Sequence, residues 1–238
     1  MSLNPANDRR PVEHQPSGTG CLSRIESTRQ LSVEICCPHL DTYRQVVAAL
    51  DAAQASHGAF FRVRQCSITD ASHDTIVSAG NSFAEMNGGV DGIINSHLSA
   101  FTLHSRVQDI VKAAISREWG GELPVGASIV VDVRHPVHRR LVYAPTMRVA
   151  CELEAGSLNP YLAFRGACIT AARHGIRSLS TPLFCTGAGG VPVPVAVAQM
   201  LAAYTSVTGA GEDQTAWQWP ELHARHRELL KAGSGTLN

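Results

Sequence analysis

The chain has 238 residues, of which 44% are apolar and 17% charged, and its formal net charge is zero. This length suits one large α/β domain or two small ones, and the composition is typical of a folded globular protein, which excludes a disordered or fibrous chain. A neutral chain has no overall positive field to attract nucleic acid or an anionic membrane, so we expect neither partner. Any anion that the protein binds must be held locally.

Seven cysteines are scattered along the chain, an odd number that does not suggest a disulfide framework and fits a reducing compartment. Residues 1–20 contain no apolar signal-peptide core, and no stretch reaches the roughly 20 apolar residues of a membrane span. We therefore expect a cytoplasmic protein. The composition divides it into a flexible leader at 1–27, one domain at 28–209, and a polar link with a helical tail at 210–238.

The hydrophobic pattern becomes regular at Leu31, and Asp41 is placed to cap the first helix. The predicted elements of the first half are a strand at 31–37, a helix at 41–54, strands at 60–68 and 74–80, a loop at 81–89, a short apolar segment at 90–101, and a helix at 105–119.

The second half continues the same alternation of strands and helices. Its predicted elements are a strand at 127–133, a basic turn at 134–140, a strand at 141–146, a helix at 160–175, a strand at 176–184, a helix at 194–207, and a charged final helix at 217–230. Val-rich and Ile-rich strands that alternate with helices predict a mostly parallel sheet covered on both faces.

Two glycine-rich loops follow apolar strands directly. The first contains Ser78-Ala79-Gly80-Asn81 and Asn87-Gly88-Gly89-Val90-Asp91-Gly92, and the second is Cys185-Thr186-Gly187-Ala188-Gly189-Gly190. Glycine allows close backbone approach and positive φ, so consecutive N–H groups can point at one anion, and a helix beginning at Pro192 or Val193 would add its dipole. The loops favour a phosphate or diphosphate ligand. The alternative is that both are only tight turns.

Neither loop matches the common nucleotide-binding signatures. The chain has no G-x-x-x-x-G-K-[ST] phosphate loop, and the second glycine loop lacks the G-x-G-x-x-G spacing of a dinucleotide-binding fold.

The two loops resemble those of the macro domain family, in a bacterial or phage-type variant. The resemblance rests on 74–81 with 88–94, on 182–192, and on the middle strand 141–146. It covers roughly Leu31 to Tyr204 and implies a three-layer α/β/α sandwich with a mixed, mostly parallel central sheet. It also implies ADP-ribose or an ADP-ribosylated substrate as the partner, with no cofactor and no metal.

Carried over residue by residue, the resemblance implies that Asn81 contacts the distal ribose of ADP-ribose and that Asp91 positions a water or assists acid/base chemistry. Asp91 has an alternative role as a helix N-cap. The residues implied to bind the ligand are Ser67, Ile68, Ala79, Gly80, Gly88, Gly89, Val90, Cys185, Thr186, Gly187, Ala188, Gly189 and Gly190.

The chain departs from the family pattern at three positions. Ser67 stands where many macro domains have an aspartate that reads the adenine amino group, so base recognition is expected to differ. Ser78 replaces the first asparagine of the usual turn, and Gly189 replaces an aromatic residue often found over the distal ribose. The expected function is hydrolysis of an ADP-ribose conjugate, and the alternative is a non-catalytic reader of ADP-ribose or a related nucleotide.

Four further features are candidates for a functional role. Cys185 is an activated thiol or a small filler, and the Cys36-Cys37-Pro38-His39 segment contributes to a metal site or lacks the spacing for one. Arg148 is placed near the expected crevice, and this placement alone suggests that it reaches the substrate. The last feature is a basic turn that is either a solvated hairpin or a contact for an acidic partner, with residues Arg134, His135, His138, Arg139 and Arg140.

Overall fold

The computed structural model describes residues 31–53, 61–102, 105–208 and 218–234. The predicted leader at 1–27 and the link at 210–217 lie outside these ranges. The elements are, in chain order, β1 (Ser32–Cys36), α1 (Leu40–Ala52), β2 (Phe61–Arg64), a 3-10 turn (Ile68–Asp70), β3 (Thr75–Ser78), α2 (Gly89–Ser99), α3 (Val107–Trp119), β4 (Ile129–Asp132), β5 (Arg140–Tyr143), α4 (Asn159–Arg173), β6 (Ser178–Thr181), α5 (Val193–Thr208) and α6 (Trp219–Ser234).

The six strands form one sheet in the order β2-β1-β6-β3-β5-β4. Every neighbouring pair is parallel except β4 and β5, which pair antiparallel at one edge. Helices cover both faces, because successive side chains of a strand point to opposite sides. Val77 and Val142 pack with α1, α4 and α5, whereas Ile76 and Leu141 pack with α2 and α3. The predicted three-layer sandwich is confirmed.

Several element predictions need correction. The apolar segment at 90–101 is most of the helix α2, and the strand predicted at 60–68 ends at Arg64 because Ser67 begins a 3-10 turn. The prediction that Asp41 caps α1 is wrong: the helix begins one residue earlier, its N-cap is His39, and Asp41 lies in the first turn.

The interpretation of the basic turn as a fully solvated hairpin is also wrong for its two histidines. His135 and His138 are buried, because both rings pack against His97 of α2, while Arg134 and Arg139 are exposed. The predicted final helix is present as α6 and contacts α5. None of the described helices is long and apolar enough to cross a membrane.

The contact between α4 and the loop before β4 requires a glycine. A Cβ added at Gly166 would lie 2.3 Å from the carbonyl oxygen of Gly126. We expect Gly166→Ala to destabilise the protein by about 1–3 kcal/mol through this overlap, although alanine is the better helix former. Urea unfolding measures the change. Gly187→Ala, which adds a methyl group in open space, is the control, and equal stability of both variants would contradict the packing argument.

Candidate ligand-binding site

The predicted binding segments meet at one edge of the sheet. Strands β2, β3, β5 and β6 are parallel within the sheet, so the loops that follow them leave from the same edge. These loops contain Ser67, the Asn81 turn, Thr146 and the second glycine loop. In open α/β sheets this edge is the usual ligand crevice.

The first loop is fixed by the hydroxyl of Tyr143, the last residue of β5. That hydroxyl donates to the carbonyl oxygen of Asn81 at 2.8 Å and accepts from the Asn81 backbone N–H at 3.0 Å. Gly80 allows the approach, because a Cβ there would lie 2.1 Å from the same hydroxyl oxygen. Burial raises the pKa of Tyr143 far above its ordinary value, so the phenol keeps its proton and remains a donor.

The side chain of Asn81 shapes its own loop. Its Oδ1 accepts from the backbone N–H groups of Phe83 at 3.1 Å and Glu85 at 3.2 Å, and its Nδ2 donates to the Glu85 carbonyl at 3.0 Å. These contacts form a side-chain turn of the kind that asparagine favours. The amide therefore holds the loop that passes the site, and its contact with a distal ribose stays a prediction.

Asp91 lies in the first turn of α2 with its side chain turned toward the sheet. It is 8% exposed and accepts a short hydrogen bond from the hydroxyl of Ser78, which is fully buried. Burial raises the pKa of Asp91 to about 6, and the Ser78 hydrogen bond lowers it in part. The N-cap of α2 is Gly88, so the interpretation of Asp91 as the N-cap is wrong. The carboxyl titrates in the range useful for proton transfer.

The N-terminus of α2 has backbone donors that no side chain caps. Its N-cap, Gly88, has no side chain, and no side-chain cap is present. The first N–H groups of a helix have no partner within it, and the helix dipole places partial positive charge there. Gly88 and Gly89 are exposed and Val90 is half-buried, so this end of the helix is open to an anion.

The second loop is closed by its own backbone. Val191 donates to the Cys185 carbonyl at 3.0 Å and Gly190 donates to the Gly187 carbonyl at 3.0 Å, with positive φ at Cys185 and Gly190. Within the described part of the chain, the N–H groups of residues 186–189 donate to no acceptor. Gly189 must be glycine, since its Cβ would lie 2.6 Å from the Cys185 carbonyl oxygen. Consecutive backbone N–H groups without a protein acceptor are the type of donors that bind anions in glycine-rich loops.

Thr146 ties the two loops together. Its backbone N–H and hydroxyl both bond to the Gly80 carbonyl, at 2.8 and 3.1 Å, and its own carbonyl accepts the Cys185 thiol at 3.9 Å. Burial raises the pKa of the Cys185 thiol to about 12, and the hydrogen bond to Thr146 lowers it in part. A buried thiol with a raised pKa favours the interpretation of Cys185 as a structural filler over that of an activated nucleophile.

Ser67 and Ile68 have different surroundings. Ser67 is half-buried and caps the 3-10 turn, accepting from the Thr69 backbone N–H at 3.3 Å and from the Thr69 hydroxyl at 2.9 Å. Ile68 is buried in the hydrophobic cluster below, so its side chain belongs to the core. Ala79 packs partly against the opposite cluster at the end of β3.

Arg148 lies at the rim of the first loop. Its guanidinium makes two bonds to the Glu122 carboxylate, at 2.7 and 3.0 Å, and lies 5.0 Å from the centre of the Phe83 ring. Cys36 and Cys37 belong to hydrophobic clusters on opposite faces of the sheet, so they cannot bind one metal ion together.

Three residues that organise this site were not predicted from the sequence, namely Ser78 as a donor to Asp91, Tyr143 and Thr146. Ser78 and Tyr143 are paired across β3 and β5. The signal available for them was their position at the carboxyl ends of two adjacent strands, because polar residues there face the crevice.

Solved structures similar to this chain include macro domains, the family whose two loops the sequence resembles. The Oceanobacillus iheyensis macrodomain with ADP is 20% identical, with a TM-score of 0.49 over 69% of this chain and 86% of that one. The macrodomain of Mycobacterium tuberculosis DarG is 17% identical, with a TM-score of 0.47 over 58% of this chain and 85% of that one.

The chain belongs to the same family as PAE1111 of Pyrobaculum aerophilum, an uncharacterized protein. The two are 30% identical over 146 residues, which span 60% of this chain and 73% of that protein. No family model matches the chain.

The Tyr143 contact predicts that one methyl group added at Gly80 strongly destabilises the protein. We expect Gly80→Ala to lower the free energy of unfolding by about 2–4 kcal/mol, because the methyl displaces the buried hydroxyl and leaves the Asn81 backbone groups unpaired. Gly88→Ala is the matched control, since a Cβ at Gly88 meets nothing within 4 Å. Urea denaturation compares them, and a Gly80→Ala change as mild as the control would contradict the assigned contact.

The buried Asp91 predicts a pH-dependent stability. A raised pKa means that its stabilising effect is full below pH 4, is lost as the pH rises to about 6, and stays lost above that. At about 1.4 kcal/mol per pH unit, ionisation costs the folded state up to about 3 kcal/mol at neutral pH. Asp91→Asn should therefore gain stability relative to the wild type between pH 4 and 6.5.

Urea unfolding across that pH range measures the gain. Asp132→Asn, which removes an exposed carboxylate, is the control. A difference between Asp91→Asn and the wild type that does not change with pH would contradict the raised pKa.

Proposed function

We propose that this chain is a macro domain that binds ADP-ribose and hydrolyses an ADP-ribose conjugate, releasing ADP-ribose. The observation that carries the proposal is the row of free N–H groups at 186–189. A diphosphate fits a row of backbone donors better than a single charged side chain does, because its negative charge is spread over several oxygens. The sequence resemblance to the family's second loop coincides with this segment.

The neutral net charge of the chain agrees with a backbone site. The uncapped N-terminus of α2 at Gly88 is the second source of donors, and it follows the first loop directly. Donors held by the fold need no basic side chains and no metal to neutralise a diphosphate. On this proposal the loop at 186–189 wraps the diphosphate, and Gly88, Gly89 and Val90 lie beside the distal ribose and the adjoining phosphate.

Ser67 determines how the base is read. Its oxygen already accepts two hydrogen bonds from Thr69, so its own hydroxyl hydrogen is available to donate. An aspartate at this place would accept from an adenine amino group, whereas a donating serine prefers a ring nitrogen. We therefore expect weaker discrimination between purine bases.

In the hydrolytic proposal the ionised Asp91 carboxylate takes a proton from a water molecule that is added across the bond between the distal ribose and the modified group. The proton that Asp91 has accepted passes to the leaving group, which departs, and free ADP-ribose remains. The pKa of about 6 leaves Asp91 mostly ionised at neutral pH but still basic enough to act. Asn81 holds the loop that orients the distal ribose.

The second candidate is a reader that binds ADP-ribose or a related nucleotide without turnover. The observation that favours it is that Asp91 is nearly buried against Ser78 and that the Asn81 amide is already bonded to its own loop. Turnover assays on several ADP-ribosylated substrates separate the two candidates.

The hydrolase predicts a specific loss in Asp91→Asn. We expect turnover of an ADP-ribosylated substrate to fall at least about 100-fold, because the base is removed, while calorimetry finds ADP-ribose affinity within a few-fold of the wild type. Asp132→Asn should keep full turnover. Wild-type turnover in Asp91→Asn would remove Asp91 from the mechanism.

The pH profile supplies a second readout of the same base. Wild-type kcat/KM should rise with pH and level off above about pH 6, as Asp91 ionises. Ser78→Ala removes a bond that lowers this pKa, so its rising limb should move to higher pH. If the pH range over which kcat/KM rises is the same in Ser78→Ala and the wild type, the proposed role of Ser78 as a positioning residue is contradicted.

A further inference from the structure

Three histidines meet on the α2 side of the sheet, away from the two glycine loops. His97 lies in the last turn of α2, and His135 and His138 lie in the turn between β4 and β5. This turn precedes the amino end of β5, whereas Tyr143 and the ligand loops lie at its carboxyl end. His135 is 7% exposed and His138 is 1% exposed. The cluster is therefore separate from the proposed ADP-ribose site.

The three rings face one another closely. One ligand nitrogen from each histidine can be chosen so that all three lie within 4.8 Å of one another. The Nε2 of His97 lies 2.9 Å from the Nδ1 of His138. Only one hydrogen can lie between two facing ring nitrogens, so at least one of them presents a lone pair to the cluster.

The orientation of His138 is fixed from behind. Its Nε2 lies 3.1 Å from the carbonyl oxygen of Ala71, which can only accept, so Nε2 is the donor and the neutral ring keeps its lone pair on Nδ1. A ring nitrogen that donates to a backbone carbonyl while the other faces inward is the arrangement found behind metal-ligating histidines.

Burial favours the neutral form of the His97 and His135 rings. Burial lowers the pKa of His97 and of His135, and the neighbouring rings lower each further, while Asp70 acts in the opposite direction on His97. Neutral imidazole is the form that binds metals. Arg140 follows His138 by two residues, and its guanidinium is paired with the Asp74 carboxylate at 3.2 Å.

His135 has a competing structural role. Its Nδ1 accepts the backbone N–H groups of His138 at 2.9 Å and Val137 at 3.2 Å, and so orders the turn. A neutral ring carries one proton, and while Nδ1 accepts these two bonds that proton lies on Nε2. Nε2 therefore cannot bind a metal as long as both bonds are kept. Coordination by His135 would exchange these bonds for a metal–nitrogen bond and loosen the turn amides.

We infer that His97, His135 and His138 bind one divalent transition-metal ion of the class that prefers imidazole, such as Zn²⁺. Three imidazoles suit Zn²⁺, Cu²⁺ or Ni²⁺ better than Mg²⁺ or Ca²⁺, and they leave a fourth position for water. The ion would tie the turn between β4 and β5 to α2.

The test is competition for Zn²⁺ between the full chain and a chromophoric chelator, in a reducing buffer that does not bind metal. We expect one Zn²⁺ per chain in the wild type and at least about a 100-fold loss of affinity in His97→Gln and His138→Gln, since each removes a ligand. His174→Gln, an exposed histidine, should bind as the wild type does. Unchanged affinity in both cluster variants would overturn the inference.

Two measurements on the wild-type chain test the metal site without any variant. Co²⁺ should give a spectrum without a thiolate charge-transfer band, because all three ligands are nitrogens; such a band would assign the ion to the cysteines and overturn the site. By NMR, Zn²⁺ should speed hydrogen exchange at the Val137 and His138 amides as they lose the His135 acceptor. No change there on saturation would overturn the part assigned to His135.

Discussion

The hydroxyl of Tyr143 holds the backbone of Asn81 from both sides, and the rest of the site depends on this contact. It fixes the first loop to the end of β5, and through Gly80 and Thr146 the constraint extends to the second loop at Cys185. Because Tyr143 is fully buried, its hydroxyl cannot exchange these partners for water at low cost. A rigid pair of loops can keep donors aimed at a ligand before it arrives, which reduces the entropy that binding must overcome.

The same geometry supplies the proposed anion site of a neutral protein with donors. The free N–H groups at 186–189 and the open N-terminus of α2 supply partial positive charge without lysine or arginine. The one arginine described at the rim, Arg148, is already paired with Glu122.

The fold could be predicted from the sequence because its signals are local. Runs such as 74–80 and 141–146 alternate with helical patterns, and glycine loops follow two of the strands, so the mostly parallel sheet and the common edge of the two loops were predicted correctly. The boundaries were less accurate where a polar side chain intervened, as Ser67 does by ending β2 and starting a 3-10 turn.

The details of the site could not be predicted because they depend on contacts between distant segments. The sequence around Asp91 does not show that the Ser78 hydroxyl donates to it. The sequence around His135 likewise does not show that His97 packs against its ring. The buried Glu34 is similar: a charge in the middle of β1 is tolerated only because Ser72, Ser180, Arg62 and Arg64 surround it. Such partners come together only when the sheet forms.

The most direct test of the account is calorimetric titration of the full chain with ADP-ribose, with ADP and AMP as comparison ligands. The two-loop site predicts binding of one ADP-ribose per chain, weaker binding of ADP, which lacks the distal ribose, and weakest binding of AMP, which lacks the diphosphate. No binding of ADP-ribose at millimolar concentration, or equal binding of all three ligands, would contradict the account.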